Sequence, residues 1–193
     1  MKIYVSMAVA LMLLTGLANA QHVNIGIKGG ANFYNIHNDN GAKYDMKTGI
    51  HLGLIGHIHL TKELAFQPEL VYSAQGAKYT TAGVVTNINL GYINVPLLIQ
   101  YMFDNGFRLE AGPQVGFLVN AKAETNSAKS DIKKSFKSTD LSLGIGMGYV
   151  FVPSGFGMDA RFNLGLSNIN ENSSVKSTNT GFQLGVFYLF DHH

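Results

Sequence analysis

Cysteine is missing from this chain of 193 residues. Its absence excludes disulfides, thiolate metal sites and a lipid-modified cysteine anchor. Tryptophan is missing too. Charge is thin: Asp, Glu, Lys and Arg make up 13% of the residues, about half the share in an ordinary soluble domain. The formal net charge of +2 gives no basic surface for nucleic acid. Beyond residue 20 no apolar run reaches the length of a membrane helix, about 20 residues. What the chain has in quantity is glycine, 22 of it, with 12 Phe and 9 Tyr. Few charges, many glycines and aromatics, and no helical span point to an all-β membrane protein.

Residues 1–20 read as a cleavable signal peptide. Lys2 supplies the positive start, 3–17 the apolar stretch, and Ala18-Asn19-Ala20 the small-x-small cleavage site. The mature chain is expected to begin at Gln21, with residues 21–193 forming one domain.

Within that domain the hydrophobic period is two, the mark of strands with one apolar face. Eight such segments follow one another. They are centred on Ile25-Ile27-Phe33, Leu52-Leu54-Ile58, Phe66-Leu70-Tyr72, Ile93-Leu97-Ile99, Leu109-Val115-Phe117, Leu143-Ile145-Met147, Met158-Phe162-Leu164 and Phe182-Leu184-Val186. None of the apolar faces carries a charge. Lys28, Glu69, Arg108, Glu110, Asp159 and Arg161 all fall on the opposite faces. A Lys or Arg facing lipid at mid-membrane costs about 2–4 kcal/mol, so the apolar faces suit lipid and the charged faces suit a lumen. The pattern predicts an all-β fold, an eight-stranded antiparallel up-and-down transmembrane β-barrel.

The connections alternate in length. Short turns are expected at Thr61-Lys62-Glu63, Asp104-Asn105-Gly106 and Pro153-Ser154-Gly155, and long polar loops at 35–47, 77–86, 121–139 and 167–179. Short periplasmic turns and long outer loops are usual in outer-membrane barrels, and they put both mature termini in the periplasm. Aromatics gather beside the short turns, among them Tyr101, Phe103, Tyr149, Phe151 and Phe156, as an interfacial girdle. Pro68, Pro96 and Pro113 fall inside strands, where a missing N–H breaks the ladder, so each is expected at a bulge or near a rim.

Four segments resemble the PorT-like outer-membrane β-barrel family. They are Ile27-Lys28-Gly29-Gly30-Ala31-Asn32, Gln67-Pro68-Glu69-Leu70-Val71-Tyr72-Ser73, Ile93-Asn94-Val95-Pro96-Leu97-Leu98 and Glu110-Ala111-Gly112-Pro113-Gln114. The resemblance implies an eight-stranded barrel of the OmpA/OmpX type in the outer membrane of a Gram-negative cell. It also makes the three prolines family features. Some relatives serve secretion and gliding, and most are described only as porin-like. Asn94 and Gln100 stand where the family often has a carboxylate and a lysine. Gln183, Gly185, Tyr188 and Phe190 resemble the C-terminal signal read by the barrel assembly machinery, followed here by Asp191-His192-His193.

The six inward charges, three of each sign, should occupy one layer above the periplasmic rim. An eight-stranded barrel is just wide enough for its side chains to fill. They read either as a structural network that plugs the lumen or as a selectivity ring or acid/base site. His57 and His59 have a spacing that can bind metal, but no third ligand stands nearby, and lumen filling is the other reading. No metal site or cofactor is expected. No nucleophile lies next to a histidine base, and Asp140 with Ser142 has no histidine neighbour in sequence, so no enzyme is expected. The segment 121–139 sets Lys122, Lys129, Lys133, Lys134 and Lys137 against Glu124 and Asp131. It reads as a contact for lipid phosphate or an anionic partner, or as a solvated mobile loop.

Three functional readings follow. The first is a non-enzymatic surface or scaffold barrel with a filled lumen, acting through its outer loops. The second is a small porin-like channel, or an outer-membrane component of a secretion or gliding apparatus. The third, a lipocalin-like barrel, needs the faces inverted, and the charge-bearing face holds too few apolar residues to line a greasy pocket. Expected partners are outer-membrane lipid, the barrel assembly machinery during biogenesis, and a surface or secretion-machinery partner not specified by the residues. The barrel is expected to be a monomer.

Overall fold

A computed structural model describes residues 23–190 except 40, 42, 153 and 173. The signal peptide read at 1–20, the start at Gln21 and the tail 191–193 lie outside the described residues.

Among the described residues nine strands follow in order: β1 Val23–Asn38, β2 Asp45–His59, β3 Leu64–Thr81, β4 Val84–Met102, β5 Phe107–Thr125, β6 Ala128–Asp131, β7 Thr139–Phe151, β8 Phe156–Gly165 and β9 Ser177–Leu189. All pairings are antiparallel. β4, β3, β2, β1, β9, β8, β7 and β5 are neighbours in that order, and β4 also pairs with β5, so eight strands close a ring. β6 hangs on the outer part of β5 alone. Among the described residues the only helical element is a 3-10 turn at Lys133–Ser135.

Following partners round the ring shows its stagger. Val23 pairs with Ile58, Ile58 with Phe66, Phe66 with Ile99, and Ile99 with Ala111. The path continues through Ile145, Phe162 and Phe182 and returns to β1 at Phe33. It comes back ten residues beyond its start at Val23, the shear that tilts the strands of a closed barrel. Every residue on that path is apolar and faces outward. Ile25 is 60% exposed, while its neighbours Asn24 and Gly26 are buried.

The turns at the β2–β3, β4–β5 and β7–β8 ends are short, and the aromatic girdle stands beside them. Tyr101 meets Phe103 at 4.9 Å, and Phe156 meets Tyr188 at 4.7 Å. The opposite end differs from the expected long loops. β3 and β4 continue to a two-residue turn at Ala82 (φ 49°) and Gly83 (φ 79°). β5 and β6 turn likewise at Asn126 (φ 47°) and Ser127 (φ 69°). Two positive φ values in succession make the turn that matches strand twist. The strands outrun the lipid-facing apolar pattern because their outer face meets polar surroundings there, so that pattern fades while pairing continues.

The prolines occupy neither bulges nor rims. The β2–β3 pairing breaks between Ile55↔Glu69 and Ile58↔Phe66, around Pro68. The β3–β4 pairing breaks between Pro68↔Leu97 and Val71↔Asn94, around Pro96. The β4–β5 pairing breaks between Pro96↔Gln114 and Ile99↔Ala111, around Pro113. The register is the same on both sides of each break. The register shifts lie elsewhere, near Met46/His51 and Gly91/Tyr92.

Inside, two apolar clusters sit at opposite ends. At the short-turn end Ile55, Val150, Phe187 and Leu189 pack together. At the other end Ile36, Ala77, Leu90, Tyr92, Leu118, Ala121 and Ile169 do so, with Tyr44, Ile88, Ile132 and Phe136 against them. The charge-bearing face has too few apolar residues to line a greasy pocket along its length, and those it has gather at its two ends.

Candidate functional site

Between the clusters lie the six charges, all buried. Arg161, on β8, reaches across the lumen. Its Nη1 and Nη2 donate to Glu69 Oε2 and Oε1 of β3 at 2.9 and 2.7 Å, and its Nε donates to Glu110 Oε1 of β5 at 2.7 Å. Lys28 Nζ, from β1, stands 3.4 Å from Glu69 Oε1 and 3.1 Å from Asp159 Oδ2. The side chains of Lys28, Glu69 and Arg161 are 2%, 0% and 2% exposed. Arg108 meets its acid through an intermediary. It donates to Gln100 Oε1 at 3.5 Å, and Gln100 Nε2 donates to Glu110 Oε2 at 2.9 Å. Gln67 Nε2 adds a bond to Glu69 Oε1 at 2.8 Å. Three cations against three anions leave the set neutral, and each carboxylate keeps a charged partner or an amide donor, as buried charge requires.

β7 makes room for this set. Its inward positions beside the network are Gly144, Gly146 and Gly148. A Cβ on Gly146 would stand 2.8 Å from Glu110 Oε1, and one on Gly144 would stand 3.3 Å from Arg161 Cδ. Only glycine leaves space for a guanidinium to cross a lumen this narrow. The sequence shows those glycines but not what lies opposite them.

Above the charges is a layer of neutral polar groups. Asn32 is its hub: it donates to Ser73 Oγ at 2.9 Å and to the carbonyls of Ile50 and Ala74 at 3.0 Å. Its own oxygen accepts from Gln183 Nε2 at 2.9 Å and lies 2.9 Å from His51 Nδ1. Gln183, named in the sequence as part of an assembly signal, therefore lies in the lumen, and Asn163 donates to its oxygen at 3.0 Å. Gly185 sits over Asp159 and His51. Tyr188 and Phe190 face outward, 5.3 Å apart, and the Phe190 N–H donates to Ile25 O at 2.7 Å. Asn32 escaped the sequence reading because nothing in an Asn on a polar face marks it as a hub.

His57 and His59 stack edge-on at 4.6 Å. No group of three or more metal-ligating side chains gathers among the described residues. Asp140 accepts from Ser167 Oγ at 2.9 Å, and Ser142 from Gln114 at 3.1 Å, so those two β7 residues hold different partners.

The segment 121–139 is tied down. Lys137 N donates to Ile169 O at 2.8 Å, Glu171 N to Ser135 O at 3.1 Å, and Phe136 bridges to Asn170. Ile169 is fully buried beneath it. The two outer connections thus form one cap over the mouth.

The family model described as "Outer membrane protein beta-barrel domain" matches residues 19–171. Neisserial surface protein A (NspA) superposes with a TM-score of 0.60 at 13% identity, over 88% of this chain and 99% of that one. Ail, the attachment invasion locus protein of Yersinia pestis, does so with a TM-score of 0.55 at 18% identity, over 86% and 98%. No curated protein matches by sequence. At these identities the two structures speak for the fold.

Proposed function

This chain belongs to the outer membrane β-barrel domain family, and from that premise we propose that it is a non-enzymatic surface or scaffold barrel that acts through its outer end rather than through a channel. One observation carries the reading. Arg161 spans the lumen between Glu69 and Glu110, with an apolar cluster on either side of the charged layer. An ion crossing the barrel would have to part that pair and two greasy layers as well. What remains for a partner is the cap built from the β5–β7 and β8–β9 connections.

Within the family we assign the chain to the PorT-like barrels, on the four ordered segments that contain Lys28, Glu69, Pro96 and Glu110. Export would use residues 1–20. Tyr188 and Phe190, turned outward on the last strand, would be open to the assembly machinery.

Planar-bilayer recording of the folded full-length mature chain tests the closed lumen. No steady conductance is expected. Stable single-channel steps from the wild type would overturn the reading and favour a small pore.

A further inference from the structure

Beyond the ring, β3 to β6 continue as a small sheet of their own. The β2–β3 pairing ends at Asp45↔Lys78, while β3, β4, β5 and β6 stay paired through Lys78↔Asn87, Asn87↔Glu124 and Glu124↔Lys129. The alternation of faces carries on along β3, and on β5 it resumes after the register shift opposite Gly91/Tyr92. Ala77 and Ala121 point inward and are buried, so Lys78 and Lys122 point outward and are exposed. Their face is the upward continuation of the apolar wall that holds Tyr72 on β3 and Phe117 and Val119 on β5.

A third amine joins them from the cap. Lys133 reaches back to β5 and donates to Val119 O at 3.0 Å. The acids nearby are Asp45 opposite Lys78, Asp131 opposite Lys122, and Glu124, which pairs with Lys129 at 3.8 Å. Lys134 and Glu171 stand beside Lys133, so five lysines against four carboxylates leave a positive surplus on a face that begins where the lipid-facing wall ends. The opposite rim has no such surplus, with Lys62 beside Glu63 and Asp104.

We propose that the outward face of this sheet, between Lys78, Lys122 and Lys133, is a docking surface for the phosphate of an anionic lipid in the outer leaflet. The placement of the barrel in a membrane puts those amines at headgroup depth. A lipid whose chains lie along Tyr72 and Phe117 has its phosphate beside them. A soluble partner would approach from above, where the cap rather than this face is presented. The binding is electrostatic, so it weakens with salt.

The test is native mass spectrometry of the full-length mature barrel in neutral detergent, titrated with diphosphorylated lipid A or with phosphatidylcholine. The wild type is expected to retain lipid A selectively, and less of it as salt rises. Each lysine near an anionic surface is expected to contribute about fivefold in affinity. The combined Lys78→Gln, Lys122→Gln, Lys133→Gln variant should therefore lose most of the preference, while Lys62→Gln keeps it. Retention unchanged in the triple variant overturns the proposal. So does an equal fall in phosphatidylcholine retention, or an equal loss in Lys62→Gln. If the triple variant does not fold, Lys78→Gln and Lys122→Gln are read singly, and no loss in either overturns it. A soluble sulfated saccharide that binds these same lysines as tightly as lipid A would also overturn the lipid as occupant.

Discussion

Arg161 and Glu69 face each other from β8 and β3, across the lumen rather than along its wall, and are joined by two parallel hydrogen bonds of 2.9 and 2.7 Å. Glu69 is also the acid beside Lys28. One carboxylate thus answers two of the three buried cations.

Glu69→Ala leaves Arg161 with Glu110 alone and Lys28 with Asp159 alone. Breaking a buried pair from one side costs about 3–5 kcal/mol. The thermal midpoint in detergent should fall accordingly. A double replacement of Glu69 and Arg161 by apolar residues of similar volume should cost much less, because no charge is orphaned. An unchanged midpoint for Glu69→Ala would remove the structural role assigned to the network.

Gly146→Ala places a methyl 2.8 Å from Glu110 Oε1. Overpacking of this kind costs about 1–3 kcal/mol. Gly56 is the control: its added Cβ would meet nothing closer than 3.5 Å. Denaturant midpoints of the two variants should separate, and equal stabilities would show that the lumen has room to spare at β7.

The three interrupted ladders around Pro68, Pro96 and Pro113 lie on neighbouring seams. Each proline removes a donor. Hydrogen exchange in lipid should therefore be faster for the amides of Val95, Leu97 and Leu98 than for 27–31 on β1, where pairing to both neighbours is unbroken. Equal protection would mean that the gaps are closed by other bonds.

Phe190→Ala removes an outward ring from the end of the last strand without touching the charged layer. Folding of purified protein into detergent should be unchanged, while the amount reaching the outer membrane in cells should fall. A normal membrane level would dismiss the assembly-signal reading of Gln183, Gly185, Tyr188 and Phe190.

The ring itself was legible because lipid imposes a rule on every second residue, and Ile25, Leu54, Ile99 and Phe162 obey it. The six charges could be placed inside for the same reason. Their partners could not be read, since Lys28 and Asp159 or Arg161 and Glu69 are brought together by the shear, which no local pattern encodes. The outer hairpins look like loops in the sequence because Ala82-Gly83 and Asn126-Ser127 are weaker turn signals than Asn-Gly. The apolar clusters were missed because Ile55 and Phe187 fall on faces that are otherwise polar or glycine-rich. The prolines were misplaced because an interrupted ladder can keep its register without a bulge.

The buried charges also bear on the order in which the chain can assemble. Arg161 finds its acids on β3 and β5, and Lys28, from the first strand, finds one of its own on β8. No contiguous hairpin holds both partners of any of these ion pairs. An open sheet, with β1 and β9 still apart, keeps these charges on one polar face that the bilayer core rejects. Zipping the final seam is the step that brings Lys28 to Asp159 and Arg161 to Glu69, so an unfinished barrel is electrostatically distinct from a finished one, and full insertion waits on the meeting of the first strand with the last.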